Sequence, residues 1–341
     1  MTVPEPLDNL LRQVSRSFYL SLRILPSAVR EPIGLAYLLA RAADTVADTR
    51  MVPRPERLFH LETLRAAYAG TPADVASLVR ACAAHQSDDA ERRLLERVDA
   101  AVARLHALPP GDRAAVRAVV ETLTSGMVFD LTRFPGEDAD GLAALDTLEE
   151  LDHYTYLVAG CVGPFWTALH VAHRRRLAGW DVAERSAQGV RFGKALQMTN
   201  VLRDAPRDVR AGRCYVPASE LASLGLAPRD LLDPARTARA RPLVHRLIAL
   251  TLEHYDVAWR YTLAIPRAEW QMRLACAWPL SIGLGTLALL ARHPDPLGAA
   301  EPIKVPRAWV RGMIARSLVT VWSNRALARE GARFRSEVAA R

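Results

Sequence analysis

Two pairs of aspartates have a spacing suited to binding a cation. Asp44 and Asp48 are four residues apart, and so are Asp204 and Asp208. In a helix, at about 100° per residue, this spacing puts both carboxylates of a pair on one face, one turn apart. Mg²⁺ suits such pairs because it takes oxygen ligands and is usually held by one or two carboxylates together with substrate phosphates. The pattern predicts that all four aspartates are metal ligands.

The residues around both pairs are mostly apolar, and each pair shares its helix face with other polar groups. If the two helices face each other across an apolar cavity, desolvation costs several kcal/mol for each carboxylate that stays unpaired. A single pair of this kind more often lies on a solvated face, so the prediction rests on the two pairs together. Polar groups on an apolar helix need partners, which a phosphate and its metals would supply. The candidate substrate-binding residues on these faces are Tyr37, Arg41, Gln197, Asn200 and Arg203.

The composition predicts an all-α protein. Half of the 341 residues are hydrophobic, and Ala, Leu and Arg dominate. The net charge of +8 comes almost wholly from arginine, since Lys194 and Lys304 are the only lysines. Such a balance favours polyanions, namely nucleic acid, anionic lipid head groups or diphosphates. No zinc-finger, RNP or glycine-rich phosphate motif accompanies the charge, so nucleic acid is not an expected partner.

The cysteines and the apolar stretches indicate the compartment. The four cysteines are far apart and predict reduced core thiols. No basic region followed by an apolar run opens the chain, so we expect a cytoplasmic protein. The uncharged stretch 274–291 approaches the length of a membrane span. Because it contains Pro279, Gly283 and Gly285 and has charged ends, we expect a buried helix that lines a tunnel for an apolar substrate.

Periodicity, caps and prolines predict the helix boundaries. Asp8 is a candidate N-cap, Pro32 a first helical residue and Asp112 a second N-cap. Pro206 lies between the second pair of aspartates and predicts a kink or an end near Asp204, so Asp204 is the firmer metal ligand of that pair. The predicted helices cover 8–24, 33–49, two or three helices within 55–108, 112–133, 147–174, a helix carrying Asp204, 234–265, 268–292 and 306–337.

Several segments together resemble the squalene/phytoene synthase family of head-to-head prenyl transferases. The resemblance runs from about Ser15 to about Val310 and is carried by segments in the family's order and spacing: Ser15-Arg16-Ser17-Phe18, Tyr37 with Arg41 to Asp48, Tyr154 to Gly163, and Gln197 to Pro217 with its Gly-Arg-x-x-x-Pro tail. Arg207 departs from the family, which usually has an acidic residue there.

The resemblance implies a fold, a reaction and further site residues. It implies one domain over residues 1–341 with the class I terpenoid synthase fold and a central apolar cavity, where two molecules of farnesyl diphosphate bind with Mg²⁺. Tyr154 would assist proton movement during the first condensation. Diphosphate or prenyl contacts would come from Arg16, Ser17, Phe18, Val158 and Arg213.

Members of the family differ in the product that they form. Cys276-Ala277-Trp278-Pro279 resembles a squalene synthase segment, and Lys304 with Arg307 resembles the basic patch near its NADPH. We therefore expect a squalene synthase similar to bacterial ones, acting in sterol or hopanoid biosynthesis and touching the membrane peripherally without a transmembrane anchor. The alternatives are a phytoene or diapophytoene synthase, an enzyme that stops at presqualene diphosphate or hydroxysqualene, and a non-catalytic assembly factor or prenyl-lipid-binding protein.

Overall fold

The protein is all-α, as its composition predicts. The computed structural model describes residues 7–15 and 19–339. The helices of the first half are α1 Leu7–Val14, α2 Tyr19–Ile24, α3 Ser27–Asp48, α4 Arg54–Ala69, α5 Val75–Cys82, α6 Asp89–Glu96, α7 Val98–Ala107 and α8 Pro110–Arg133. The helices that follow are α9 Leu148–Thr155, α10 Val162–His173, α11 Val182–Arg210, α12 Ala218–Ala222, α13 Pro234–Thr237, α14 Arg241–Ala264, α15 Trp270–Arg292, α16 Arg307–Thr320 and α17 Asn324–Ala339.

A two-residue pair of parallel strands interrupts the helices. β1 Ala143–Ala144 pairs with β2 Arg213–Cys214, and Ala143 aligns with Arg213. Gly212, just before β2, has a φ of +84°, and a Cβ there would lie 2.7 Å from the carbonyl oxygen of Asp138. Only glycine fits this close approach, so Gly212 fixes the direction from which Arg213 enters β2.

The chain forms two compact units. The first comprises residues up to Leu131 together with Phe165–Arg175, and the second comprises Thr132–Pro164 and the residues from Arg176 onward. In the first unit α3 is central and packs against α1, α4, α6 and α7. In the second unit α11 packs against α14 and α15, and α15 also packs against α16 and α17. Each long central helix carries one of the aspartate pairs.

The structure corrects the predicted helix boundaries in the first half of the chain. Helix is present from Leu7, so Asp8 lies inside α1, and the predicted helix 8–24 is divided into α1 and α2. α3 begins at Ser27 after Pro26, so Pro32 lies inside it. Residues 55–108 form four α-helices instead of two or three. Asp112 lies in the first turn of α8, and its carboxylate binds Nε2 of His173 at 2.7 Å.

The alternative in which the helix ends near Asp204 is wrong, because α11 continues through Pro206 to Arg210. A proline inside a helix costs about 3 kcal/mol. Ala205 and Pro206 are both buried, in a helix that packs against α14 and α15. Burial of this helix against its neighbours offsets the local cost of the proline. The predicted final helix 306–337 is, by contrast, divided into α16 and α17 by a turn at Val321 and Trp322.

Two helical segments are long and apolar enough to cross a membrane by composition, Leu148–His173 and Arg267–Arg292. The most apolar window of the second is 83% buried inside the structure, whereas that of the first is 39% buried. The prediction of a buried helix over 274–291 is confirmed. The four cysteines are all buried and free, as predicted for core thiols.

Candidate active site

The first group of charged residues, which we call the first aspartate cluster, assembles on α3 of the first unit. Arg41 donates to Asp44 Oδ2 at 2.5 Å, and its other terminal nitrogen binds Glu91 of α6. Asp48 and Asp130, the latter on α8, also act electrostatically on Asp44. Three carboxylates from α3, α6 and α8 therefore act on Asp44, and Arg41 binds Asp44 and Glu91.

The electrostatics of this cluster favour an added cation. The Asp44 side chain keeps 40% of its surface accessible. Loss of hydration and the neighbouring Asp48 carboxylate nevertheless raise the pKa of Asp44 to about 6, against the opposing effect of Arg41. Glu91 and Asp130 raise this pKa further. A partly accessible carboxylate whose acidic neighbours raise its pKa in this way attracts positive charge.

The second aspartate cluster lies on α11 of the second unit. Arg203 donates to both oxygens of Asp204, at 2.9 and 2.5 Å. One turn further, Asp208 has looser contacts with Arg207 at 3.3 and 3.4 Å. Because α11 is continuous, the predicted one-turn spacing of Asp204 and Asp208 is kept. Asn200 donates to Gln197 Oε1 at 3.3 Å on the same helix.

Asp208 has fewer strong partners than Asp204. Burial raises the pKa of Asp208 to about 6, although Arg207 and Arg213 both act to lower it. Its side chain is 13% exposed. Asp204, in contrast, is held by a two-point ion pair with Arg203, the stronger arrangement for a carboxylate. The preference for Asp204 as the firmer ligand depended on a helix break at Pro206, and that break is absent.

The carboxylate pairs fit a metal that arrives with its substrate. Among the residues that the structure describes, no three His, Cys, Asp or Glu side chains lie close enough together to enclose a metal ion. Mg²⁺ needs only one or two carboxylates when substrate phosphates and water supply its other ligands. The carboxylates that repel Asp44 and the loosely held Asp208 match this kind of site.

An aromatic stack fixes Tyr154 in the second unit. The ring of Tyr154 stacks on Tyr215 with centroids 4.7 Å apart and an angle of 22°, and Tyr215 meets Phe134 edge to face at 5.0 Å. Tyr154 is 7% exposed and Tyr215 8%. Stacking contacts of this kind restrict ring orientation and stabilise their position by about 0.5–1.5 kcal/mol each. Tyr215, one residue after β2, therefore holds the ring that the resemblance implicates in proton movement.

The small residues after Tyr154 serve helix packing. Residues Tyr156–Gly160 form one turn of π-helix, which contains Val158, and such turns often mark functional sites. A Cβ at Gly163 would lie 2.0 Å from the backbone carbon of Gly189, and one at Gly193 would lie 2.2 Å from the carbonyl oxygen of Ala159. The sequence left open whether a hydrocarbon chain or another helix approaches here. At Gly163 the neighbour is α11, and at Gly193, which belongs to α11, the neighbour is the π-helical turn.

The remaining predicted residues lie in several places. Tyr37 donates to the carbonyl oxygen of Val14 at 3.3 Å. Arg213 lies in β2 and acts electrostatically on Asp208. Lys304 and Arg307 are exposed at the start of α16. Three predicted diphosphate-binding residues lie outside the described part of the chain: Arg16, Ser17 and Phe18.

Two side chains that contact predicted site residues, Glu91 and Tyr215, do not follow from the sequence patterns. Glu91 belongs to a charged segment that predicts an ordinary surface, yet its side chain is only 19% exposed and binds Arg41. Tyr215 stands inside the Gly-Arg-x-x-x-Pro tail, where only Arg213 was singled out. The signal that could have identified Tyr215 is an aromatic residue two positions after Arg213, the predicted site arginine.

Fold comparison places the chain in a class of proteins. The complex of TcSQS with a ligand superposes with a TM-score of 0.79 at 23% identity, covering 98% of this chain and 90% of that one. This likeness shows the fold, which is the all-α terpenoid synthase fold predicted from the resemblance. By its fold, the chain is therefore an all-α protein of the terpenoid synthase type.

Sequence comparison then gives the family. The family model described as squalene/phytoene synthase matches residues 11–309, and the chain belongs to this family. A 15-cis-phytoene synthase from Synechocystis is 30% identical, over 76% of this chain and 68% of that protein. A squalene synthase from Gibberella zeae is 26% identical over 84% of this chain. The chain spans 58% of the length of the Gibberella protein.

Proposed function

We propose that the protein condenses two molecules of farnesyl diphosphate head to head, through presqualene diphosphate, to squalene, with Mg²⁺ and NADPH. The observation that carries this proposal is the first aspartate cluster, where three further carboxylates act on the partly accessible Asp44 beside Arg41. Such a cluster suits a diphosphate that brings divalent cations with it. Membership of the squalene/phytoene synthase family supports the reaction class.

The two clusters have complementary tasks in this proposal. Metal ligands would come from Asp44, Asp48, Asp204 and Asp208. Bound Mg²⁺ would supply Lewis acidity, neutralising charge on the leaving diphosphate so that an allylic cation can form. Arg41, Arg203 and Arg213 would share that charge through their hydrogen bonds.

Tyr154 would act after the first ionisation. The double bond of the second substrate attacks the first carbon of the allylic cation, and a proton must leave as the cyclopropane ring closes. The Tyr154 hydroxyl, on a ring held by Tyr215, would assist the removal of that proton. A ring fixed by stacking keeps the hydroxyl in one position, which proton transfer requires.

Reduction to squalene would use the basic start of α16. Lys304 and Arg307 are exposed, and the stretch 302–329 has no acidic residue. Exposed cations of this kind fit the phosphates of NADPH, which would supply hydride when bound. The residues that would hold it are Lys304 and Arg307.

A phytoene-type condensation without reduction is the second candidate. It is favoured by the relative from Synechocystis, named 15-cis-phytoene synthase, which is 30% identical to this chain. Both candidates use the same aspartates and differ in chain length and in the need for a reductant. We also propose that the protein works in the cytoplasm, in peripheral contact with the membrane that holds such apolar chains.

Product analysis separates these candidates. Purified protein is incubated with farnesyl diphosphate and Mg²⁺, with and without NADPH, and the products are identified by mass spectrometry. Squalene formed only with NADPH supports the proposal. Phytoene formed from geranylgeranyl diphosphate, with no squalene from farnesyl diphosphate, would contradict it and support the second candidate.

Variants test the aspartate clusters themselves. Asp44→Asn and Asp204→Asn should each reduce pyrophosphate release at least about a hundredfold, because metal-assisted charge stabilisation is worth several kcal/mol. Asp99→Asn is a matched control, since Asp99 is an exposed aspartate in the first turn of α7. Full pyrophosphate release by Asp44→Asn would exclude a role for the first cluster in ionisation. Tight prenyl diphosphate binding without any turnover by the unmodified protein would favour a lipid-binding protein instead.

A further inference from the structure

An apolar corner lies exposed where α16 passes into α17 in the second unit. Leu318, Val319 and Trp322 are 49%, 77% and 52% exposed. The other large hydrophobic residues exposed in the described part of the chain lie far apart in sequence: Leu20, Met51, Phe59, Tyr156 and Val182. Isolated exposed hydrophobic residues are normal, whereas a group of them indicates a contact surface. We call Leu318, Val319 and Trp322 the apolar corner.

The Trp322 side chain is held in place although it is exposed. Its Nε1 donates to the carbonyl oxygen of Leu318 at 3.0 Å. Its ring also meets the Trp270 ring with centroids 5.7 Å apart. The one polar atom of the indole is therefore already satisfied within the protein. The ring can enter an apolar environment without leaving an unpaired donor.

Basic residues predominate in the sequence around the apolar corner, beside one carboxylate, that of Glu330, which accepts a hydrogen bond from Thr320. The stretch 308–329 contains four basic residues and no acidic residue, in a chain whose net charge is +8. All four are exposed arginines, and none of them forms a salt bridge with a carboxylate in the part of the chain that the structure describes: Arg311, Arg316, Arg325 and Arg329. On α16, Arg311 and Leu318 lie seven residues apart and share one helix face. The exposed surface thus combines cations with an apolar tip.

For the peripheral membrane contact proposed above, on which this inference rests, we propose that this surface docks the protein on an anionic lipid bilayer, with the apolar corner inserted among the lipids and the arginines on the head-group phosphates. Helix faces that join arginines to tryptophan and leucine bind at the bilayer interface and bury their apolar side about 5–10 Å deep. Tryptophan favours this depth because its ring is amphipathic. Arginine suits phosphate because its planar fork donates several hydrogen bonds.

A second copy of the chain fits this surface less well. A two-fold interface brings the same patch of both copies together, so each unneutralised arginine would meet arginines of the other copy. Like charges brought together in an interface are repulsive. An anionic bilayer neutralises them instead. The charge of the surface therefore selects lipid over self-association.

Vesicle sedimentation tests the proposal, independently of any catalytic activity. The full chain is mixed with sucrose-loaded vesicles of phosphatidylcholine, or of phosphatidylcholine with phosphatidylglycerol, at low and at physiological salt. Each arginine near an anionic surface contributes about fivefold to partitioning. Binding should require phosphatidylglycerol and weaken with salt.

Two variants separate the apolar and the ionic contributions. Val319→Asp should lower partitioning by about tenfold or more, because it removes an inserted side chain and adds a repelled charge. Arg325→Gln with Arg329→Gln should lower partitioning about twenty-five-fold on anionic vesicles at low salt. Phe59→Asp is the matched control, since Phe59 is 66% exposed on α4 between Glu56 and Glu62, and it should bind like the unmodified chain.

Several outcomes would overturn the proposal. Equal binding to both kinds of vesicle at low salt would exclude recognition of anionic lipid. Unchanged partitioning of Val319→Asp would exclude insertion of the apolar corner. Loss of a dimer in light scattering on Val319→Asp substitution, with no vesicle binding by the unmodified chain, would assign the surface to a second copy. Thermal unfolding of each variant verifies its fold, and exposed positions such as 319 should leave the melting temperature nearly unchanged.

Discussion

A hydrogen-bonded tyrosine beneath the second aspartate cluster gives a quantitative prediction. Tyr255 of α14 is fully buried, and its hydroxyl lies 2.9 Å from Thr199 Oγ1 on α11. Thr199 donates its own proton to the carbonyl oxygen of Ala195, so Tyr255 is the donor of this bond. A Cβ at Gly283 of α15 would lie 1.8 Å from the Tyr255 hydroxyl oxygen. The three helices therefore meet at a point with no space for a methyl group.

Gly283→Ala should destabilise the protein through this contact. Overpacking a core costs about 1–3 kcal/mol. Displacing the Tyr255 hydroxyl also removes a hydrogen bond worth about 1 kcal/mol. The free energy of unfolding should fall by about 2–4 kcal/mol in total. Tyr255→Phe alone loses only the hydrogen bond and should cost about 1 kcal/mol.

The double variant shows whether the contact between residue 283 and the Tyr255 hydroxyl causes the loss of stability. In Gly283→Ala with Tyr255→Phe the clashing oxygen is gone, and the nearest ring carbon lies 3.0 Å from the new methyl group. The combined loss should therefore be about 1–3 kcal/mol smaller than the sum of the two single losses. Additive losses would refute the reasoning, because the two substitutions would then act independently.

Urea denaturation followed by circular dichroism measures these differences. Midpoints and slopes give each free energy of unfolding by linear extrapolation. Gly111→Ala is the control, since a Cβ at Gly111 meets no atom within 4 Å. It should change stability by no more than about 1 kcal/mol, in the stabilising direction. A Gly283→Ala variant as stable as this control would also contradict the structure at this point.

Two further predictions concern other side chains of the second unit. Tyr215→Leu should lower kcat more than it raises KM, because it frees the Tyr154 ring. Tyr215→Phe should keep both stacking contacts and most of the activity. Equal losses of kcat in both variants, measured by steady-state kinetics, would contradict a positioning role for Tyr215. Burial and the neighbouring Arg191, which donates to Nδ1 at 2.5 Å, lower the pKa of His254 from 6.5 to about 4. The folded state keeps His254 neutral while the unfolded state takes up a proton, so this residue reduces stability as the pH falls from 6.5 to about 4. His254→Gln should lose less stability over that interval in urea denaturation, and an identical pH dependence would contradict the assignment.

Much of the first aspartate cluster follows from local sequence. The four-residue spacing of Asp44 and Asp48 and the apolar residues around them predict a buried helix with one polar stripe, and α3 is that helix. Glu91 and Asp130 could not be assigned in this way. They come from other helices, and their approach to Asp44 depends on how α6 and α8 pack in the first unit.

Pro206 shows the opposite relation between local and tertiary effects. Local chemistry predicts a break, because proline lacks the N–H that the helix needs. The helix continues because α11 is buried against α14 and α15, and packing of this kind routinely outweighs single-residue propensity. The position of Asp208 followed from this packing, which the residues near it in sequence do not report.

The sequence alone determined the helical class, the reduced cysteines and the pairing of aspartates one turn apart, because composition and periodicity are properties of neighbouring residues. Only the tertiary structure decided which groups from distant segments meet: Glu91 with Arg41, Tyr215 with Tyr154, and Gly163 with Gly189. These contacts depend on how whole helices cross, which is set by the sum of many small packing energies across the core. No short stretch of sequence contains that sum.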